Sequence, residues 1–496
     1  MSYKIDAFKN IFFKLLGPAI FGIVISSEPP EDLSESGFHL LGVTIWMAIW
    51  WIFEVVPIAV TALIPIITFP LFGILPIGDT TSQYGHKLIF LYIGGFILAT
   101  AIERWNLHKR IALHIIKTIG TKASYLILGF MIATAFLSMW ISNTATAVMM
   151  LPIAIAVTHQ INSDNNANQT DNKKFSKAIM LSIAFSASIG GVATLIGTPP
   201  NLVLAGVLEN TYNVKIGFFE WMKFAFPVSV LLLFISWKYL TTMAYKLKDF
   251  KFTGEKLQTN KMLEKLGRTT YEEKAVAIVF LLAALSWIFR SLLEKILPGI
   301  DDTIIAISAA ILLFIIPAKN KDQKLLTWEE AVKIPWGIII LFGGGLALAK
   351  GFTDTGLAKW IAGQITLFEG VSLLIFILLV AAIVNFLTEV TSNTATTAML
   401  LPILAPVALS FDIHPYLIMM AVTLSASCAF MLPVATPPNA IVFGSNYLKV
   451  SDMARKGFLM NVISILIIAL IVYYYLPIVF SLESLAFPEA LKDQGD

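Results

Sequence analysis

The chain reads as a succession of long apolar runs separated by short polar stretches. Apolar segments lie near 15–27, 39–75, 86–103, 124–158, 178–208 and 219–243, then near 274–298, 302–318, 336–350, 370–411, 416–446 and 456–481. Many approach ~20 residues, the length of helix that crosses a hydrocarbon core. Barrel strands would alternate apolar and polar residues, and these runs do not, so the pattern predicts an all-α membrane protein. The stretch 39–75 is long enough for two spans, interrupted near Pro57. About eleven crossings are expected.

Two polar insertions stand out, INSDNNANQTDNKKFSK (161–177) and the lysine-rich KLKDFKFTGEKLQTNKMLEKLGRTTYEEK (246–274). The second divides the chain into an N-terminal half (1–240), a basic cytoplasmic linker (241–275) and a C-terminal half (276–496). The N-terminal MSYKIDAFKNIFFKLLGPAIFGIVIS has lysines, a short apolar stretch and no obvious small-residue cleavage site. It reads as a retained first helix or interfacial segment, with the N-terminus cytoplasmic. The tail SLESLAFPEALKDQGD is acidic and argues for an outside C-terminus.

Composition sharpens the class. Of 496 residues, 57% are hydrophobic and 14% charged, and the mean hydropathy is +0.79. Soluble domains carry about 25% charge, so most of this surface faces the lipid bilayer of a cell (inner) membrane. The net charge of +3 is small, and the basic residues sit in loops flanking apolar spans. The positive-inside rule places them there, so they are no sign of a nucleic-acid partner. Cys428 is the only cysteine, which excludes an intrachain disulfide and metal sites built on cysteine. Six scattered histidines show no metal spacing, and no nucleophile–base pair is recognisable. An enzyme is therefore unsupported.

The most informative feature is an internal repeat. SNTATAVMMLPIAIAV (142–157) aligns with SNTATTAMLLPILAPV (392–407) at an offset of 250 residues, with ten of sixteen positions identical. The same offset aligns GGFILATAIERWNLHKRIA (94–112) with GGLALAKGFTDTGLAKWIA (344–362), and Phe136-Leu137-Ser138 with Phe386-Leu387-Thr388. Further on, SASIGGVATLIGTPPN (186–201) matches SASCAFMLPVATPPN (425–439) after a one-residue slip. Residues 104–122 hold Arg104, Lys109, Arg110, Lys117 and Lys122 with no acid, whereas 354–372 hold Lys359 against Asp354 and Glu369. Positive charge concentrates on the cytoplasmic side, so equivalent segments are expected on opposite faces. That implies an inverted-topology repeat, an architecture of secondary transporters, with parallel repeats as the alternative.

Each half places Ser-Asn-Thr inside an apolar stretch and follows it with a (Gly/Ala)-Thr-Pro-Pro-Asn turn. A Pro-Pro turn at membrane depth is tolerable only beside protein or a water-filled cavity, as in broken helices and re-entrant hairpins. Half-helix N-termini present free N–H groups and partial positive charge suited to a carboxylate. Unwound carbonyls with hydroxyl and amide oxygens suit Na+. Asn serves both ions, its oxygen toward the cation and its NH2 toward the anion. One such motif alone would read equally well as polar glue between helices. Two symmetric copies point to a midplane site. Neither motif contains Lys, Arg, Asp or Glu; the nearest acids are Glu389 and Glu54. A structural role is favoured for Glu54, at an interface or paired within a scaffold. For Glu389 a structural hydrogen bond and a role in ion coupling stand level.

The paired SNTAT motifs with the GTPPN and ATPPN turns resemble the divalent-anion:sodium symporter family, over roughly residues 40–480. The resemblance implies a homodimer of about eleven transmembrane helices per protomer plus two re-entrant hairpins, with scaffold and transport domains working as an elevator. It implies one Na+ site at Ser138, Ser142, Asn143 and Gly197, and a second at Thr388, Ser392, Asn393 and Ala435. It places substrate carboxylates on Asn143, Thr144, Thr198, Pro199, Asn393, Thr394, Thr436 and Pro437. The expected activity is import of a C4-dicarboxylate such as succinate coupled to Na+. The alternatives are a Na+-independent dicarboxylate exchanger and, in a different class, a cation/proton antiporter. The antiporter normally needs buried titrating carboxylates, which the motifs lack.

Overall fold

A computed structural model of the chain describes residues 2–120, 122–162, 169–247, 258–319, 323–364 and 371–492. Parts of both polar insertions (163–168 and 248–257), Glu369 and the last four residues of the acidic tail lie outside the described residues. Among the described residues the regular elements are all helical, with one isolated bridge between Pro317 and Lys324. Seven helices are long and apolar enough to cross a bilayer, and six apolar helices of 10–17 residues accompany them. Several of the short ones are halves of runs that the sequence presents as continuous.

The repeat is reproduced element by element. The first copy comprises α1 (Lys87–Arg104), α2 (Leu107–Ile119), α3 (Ala123–Ser138), α4 (Asn143–Asn162), α5 (Gln169–Val192), α6 (Pro199–Tyr212) and α7 (Phe218–Lys238). The second comprises α8 (Trp336–Asp354), α9 (Leu357–Gln364), α10 (Leu373–Leu387), α11 (Asn393–Ser410), α12 (Pro415–Ala426), α13 (Pro437–Phe443) and α14 (Val450–Leu470). Ser-Asn-Thr interrupts α3/α4 and α10/α11, and Thr-Pro-Pro-Asn interrupts α5/α6 and α12/α13. Helices Ser2–Ile25, Glu35–Ile52, Ile58–Thr61 and Ile64–Leu71 precede the first copy, and Tyr271–Ile288 and Asp302–Ile315 separate the two.

Packing gives the relative orientation of the copies. Helix α5 runs into its break packed on α4 and α13, whereas α6 leaves the break packed on α8 and α11. The equivalent helices α4 and α11 therefore depart from the breaks toward opposite sides. The exchange is reciprocal, since α13 lies on α4 as α6 lies on α11. This is the inverted arrangement anticipated from the charge asymmetry.

Lipid-facing and core-facing residues separate along single helices. On Asp302–Ile315, Ile305, Ala306, Ala309, Ala310 and Leu313 are buried while Ile304, Ile311 and Ile315 are exposed, a helical stripe suited to acyl chains. At the polar ends, charges are paired. Thr270 and Glu273 form a capping box, with the Glu273 amide donating to Thr270 Oγ1 at 3.1 Å and the Thr270 amide to Glu273 Oε2 at 2.7 Å. The other Glu273 oxygen accepts from Arg110 Nε of the basic helix α2 at 3.0 Å. Arg104, at the end of α1, pairs with Glu330. On α2, burial pushes His108 down to about 4, so its imidazole is neutral, with Nδ1 3.0 Å from Ile102 O.

Candidate functional site

The four interruptions converge on one cavity of about 820 Å³. Ser142, Asn143 and Thr144 line it from the first hairpin tip, and Gly197, Thr198 and Pro199 from the first broken helix. Ser392, Asn393 and Thr394 with Ala435, Thr436 and Pro437 repeat the arrangement from the second copy. Of the residues assigned in the sequence to the two Na+ sites and the carboxylate site, Ser138 and Thr388 are absent from the wall. They lie directly behind it, fully buried.

Their position creates two matching clusters of oxygen atoms. Ser138 Oγ lies 2.6 Å from Asn143 Oδ1 and 2.7 Å from Ala187 O. Thr388 Oγ1 lies 2.8 Å from Asn393 Oδ1 and 3.0 Å from Ala426 O. Each hydroxyl carries one hydrogen and so donates to one acceptor at a time, leaving lone pairs of three oxygens in close company. Such a set suits a hard cation that takes oxygen ligands. With Asn Oδ1 turned to this cluster, each amide NH2 is left for the cavity.

Close backbone approach requires glycine in the first copy. A Cβ on Gly191 would meet Asn143 Oδ1 at 2.4 Å, and one on Gly197 would meet Gly191 O at 2.4 Å. The Asn that ends each turn seals the frayed end of the half-helix before it. Asn201 Nδ2 donates to Thr194 O at 2.7 Å and reaches Gly191 O and Val192 O at 3.2 Å. Asn439 Nδ2 donates to Leu432 O at 2.9 Å and Ala429 O at 3.2 Å.

One expectation is corrected. Half-helix N-termini were expected to offer free N–H groups, but α6 and α13 both begin Pro-Pro, and proline has no N–H. These two ends offer hydroxyls instead. Thr436 Oγ1 is in part occupied, accepting from the Asn439 amide at 3.2 Å. Backbone donors for an anion are left to the starts of α4 and α11, at Asn143-Thr144 and Asn393-Thr394.

The two acids separate. Glu389 is buried and structural in its contacts: Oε1 accepts from the Phe430 and Met431 amides at 2.8 and 2.9 Å and from Asn461 Nδ2 at 2.7 Å. Its Oε2 accepts from the Leu432 amide at 2.9 Å. Glu389 thus clamps the unwound segment that leads to Ala435 and Thr436. Asn461, on α14, was not singled out in the sequence and has no motif to mark it. Of the two structural roles expected for Glu54, at an interface or paired within a scaffold, the pairing is not seen among the described residues. Glu54 is exposed, lines the same cavity, and its carboxylate has no partner among the described residues. Val55, Val56, Pro57, Ile58, Tyr92, Ile338 and Val434 complete the wall with Pro438 and Ala440. The 54–58 turn belongs to neither repeat, so repeat alignment could not find it.

Comparisons with known proteins agree with this architecture. The model of the sodium:sulfate symporter transmembrane region matches residues 9–482. The Sodium-dependent dicarboxylate transporter SdcS of Staphylococcus saprophyticus is 45% identical over 476 residues, covering 95% of this chain and 92% of that protein. The protein of the same name from Staphylococcus aureus strain USA300 is 46% identical over 477 residues, with the same coverage. Among solved structures, the Alcanivorax borkumensis YdaH transporter superposes with a TM-score of 0.57 at 12% identity, covering 82% of this chain and 88% of that one. Neisseria gonorrhoeae MtrF gives a TM-score of 0.55 at 12% identity, covering 90% and 96%. The last two are likenesses of fold. A family match over nearly the whole chain and relatives at this identity settle the assignment: the chain is a multi-pass membrane transporter of the divalent-anion:sodium symporter family, and not an enzyme.

Proposed function

We propose that this transporter imports a C4-dicarboxylate such as succinate, driven by Na+, through an elevator movement. The observation that carries the reading is the pair of equivalent oxygen clusters, Ser138–Asn143–Ala187 and Thr388–Asn393–Ala426, set behind the two ends of one cavity wall. In this reading each cluster takes one Na+, with Ser142 and Gly197 completing the first and Ser392 and Ala435 the second. The anion takes the cavity face of the same asparagines, with Thr144, Thr394, Thr198 and Thr436 as hydroxyl partners. Pro199 and Pro437 shape the floor. The names of the SdcS relatives, sodium-dependent dicarboxylate transporters, support the choice of ion and substrate class.

The physical need for the cation is direct. A bare dianion in a low-dielectric interior carries a prohibitive desolvation cost, which bound Na+ offsets. Na+ enters first, its ligands drawing the two hairpin tips toward the unwound segments, and the anion then meets oriented amide NH2 groups. Two Na+ neutralise a dianion; a third would make transport electrogenic, worth about 2.3 kcal/mol per 100 mV. The elevator would move the two hairpins and broken helices against a scaffold that includes residues 54–58, within a homodimer, N-terminus cytoplasmic and C-terminus outside. Asn143→Ala and Asn393→Ala should each abolish Na+-driven uptake while leaving the detergent-solubilised protein monodisperse and folded. Wild-type uptake by both variants would sink the site assignment.

A further inference from the structure

The wall of the cavity carries one formally charged side chain, and its sign is opposite to what an anion site calls for. Glu54 is the sole Asp, Glu, Lys, Arg or His among the described residues lining it. The side chain is exposed, and its carboxylate makes no hydrogen bond or ion pair among the described residues. It is also held in place. The turn that bears it is pinned by the Phe53 amide on Ile49 O at 3.0 Å, the Val55 amide on Trp50 O at 3.2 Å and Trp51 Nε1 on Ile58 O at 3.0 Å. Glu54 itself adopts φ 44°, left-handed backbone that a non-glycine residue seldom takes. A turn built this way holds a carboxylate at the wall of the cavity. Had packing alone been required, glycine or asparagine would meet the backbone demand without the charge.

We propose that Glu54 is an electrostatic positioning residue that draws Na+ into the cavity and holds the dianion back until the cations are bound. The inference rests on the sodium-coupled reading above. Its signs follow from charge alone. A carboxylate on the wall attracts each Na+ and repels the dianion, while a fully loaded site of two Na+ and one dianion has no net charge to feel it. Removing the charge should therefore weaken apparent Na+ affinity and strengthen apparent dianion affinity. A merely structural residue would weaken both.

Aspartate and asparagine provide the test, because both tolerate left-handed backbone and they differ in charge at nearly equal size. Wild type, Glu54→Asp and Glu54→Asn are reconstituted in proteoliposomes, and succinate uptake is measured at low ionic strength with choline replacing Na+. E54D is expected to stay close to wild type. E54N is expected to raise half-saturating Na+ about two- to threefold, the scale of one unit charge acting across water, and to lower half-saturating succinate by at least as much. Both differences should vanish when choline chloride brings the ionic strength to about 1 M, where screening is nearly complete. Equal behaviour of E54N and E54D at every ionic strength would overturn the inference, as would a loss of both affinities in E54N. Wild-type uptake indifferent to Na+ would instead overturn the sodium-coupled reading, and that is seen before any variant is compared.

Discussion

Ser138 and Thr388 show how a single hydroxyl defines each oxygen cluster. Both are fully buried, both face an asparagine Oδ1 and one backbone carbonyl, and neither touches the cavity. Their pairing was legible in the sequence, because an ungapped offset of 250 residues superposes them. Their distance behind the wall was not, since alignment reports equivalence and not depth. The equivalence makes a sharp prediction. Thr388→Ser keeps the oxygen and copies the first cluster, so its Na+ dependence should match wild type. Thr388→Val keeps the shape but removes the oxygen, leaving Asn393 Oδ1 and Ala426 O facing each other. Half-saturating Na+ should then rise at least tenfold, the equivalent of about 1.4 kcal/mol for one lost polar partner.

The breaks between half-helices are the elements that build the site, and the two copies hold theirs open differently. In the first copy the break is short, residues 193–198, and the Thr194 hydroxyl donates to Met139 O at 2.5 Å. In the second it covers residues 427–436, and Glu389, at the position equivalent to Met139, ties down three successive amides. The one-residue slip in the alignment hinted at this divergence. The clamp itself was unreadable, because Phe430 lies 41 residues from Glu389 and the fourth partner, Asn461, lies on a different helix. Composition could say that Glu389 was close to the motif, not that its oxygens were fully engaged. Glu389→Ala should leave the Met431 and Leu432 amides unpaired, at a cost of about 1–3 kcal/mol for each, while the Phe430 amide keeps Asn461 Oδ1 at 3.2 Å. A thermal melt in detergent should therefore drop by several degrees at least. An unchanged melt would remove the structural role from Glu389 and return it to ion coupling.

At the scale of the whole molecule, the fold was largely visible as apolar runs and a duplicated unit, while the cavity was half hidden. Its repeat-derived walls follow from the motifs, but the 54–58 turn joins them only in three dimensions. The same holds for contacts that the start of α1 and the turn before it make with the end of α6: Lys87 Nζ pairs with Glu209 at 2.5 Å, and Asn210 Nδ2 donates to Gln83 Oε1 at 2.8 Å. If α6 moves against α1 as an elevator requires, these contacts must part in every cycle. Cysteines at both positions (Gln83→Cys with Asn210→Cys), joined by a short bis-thiol reagent, should block uptake, and Cys428 is buried and stays unreactive. Linked carriers that still transport at the wild-type rate would exclude a rigid movement of α6 past α1. The most direct test of the central claim is radiolabelled succinate uptake into proteoliposomes, with an inward Na+ gradient and with K+ in its place. Concentrative uptake that requires Na+ is the expected result. Uptake that ignores Na+ but needs dicarboxylate inside the vesicle would contradict it and make the protein an exchanger.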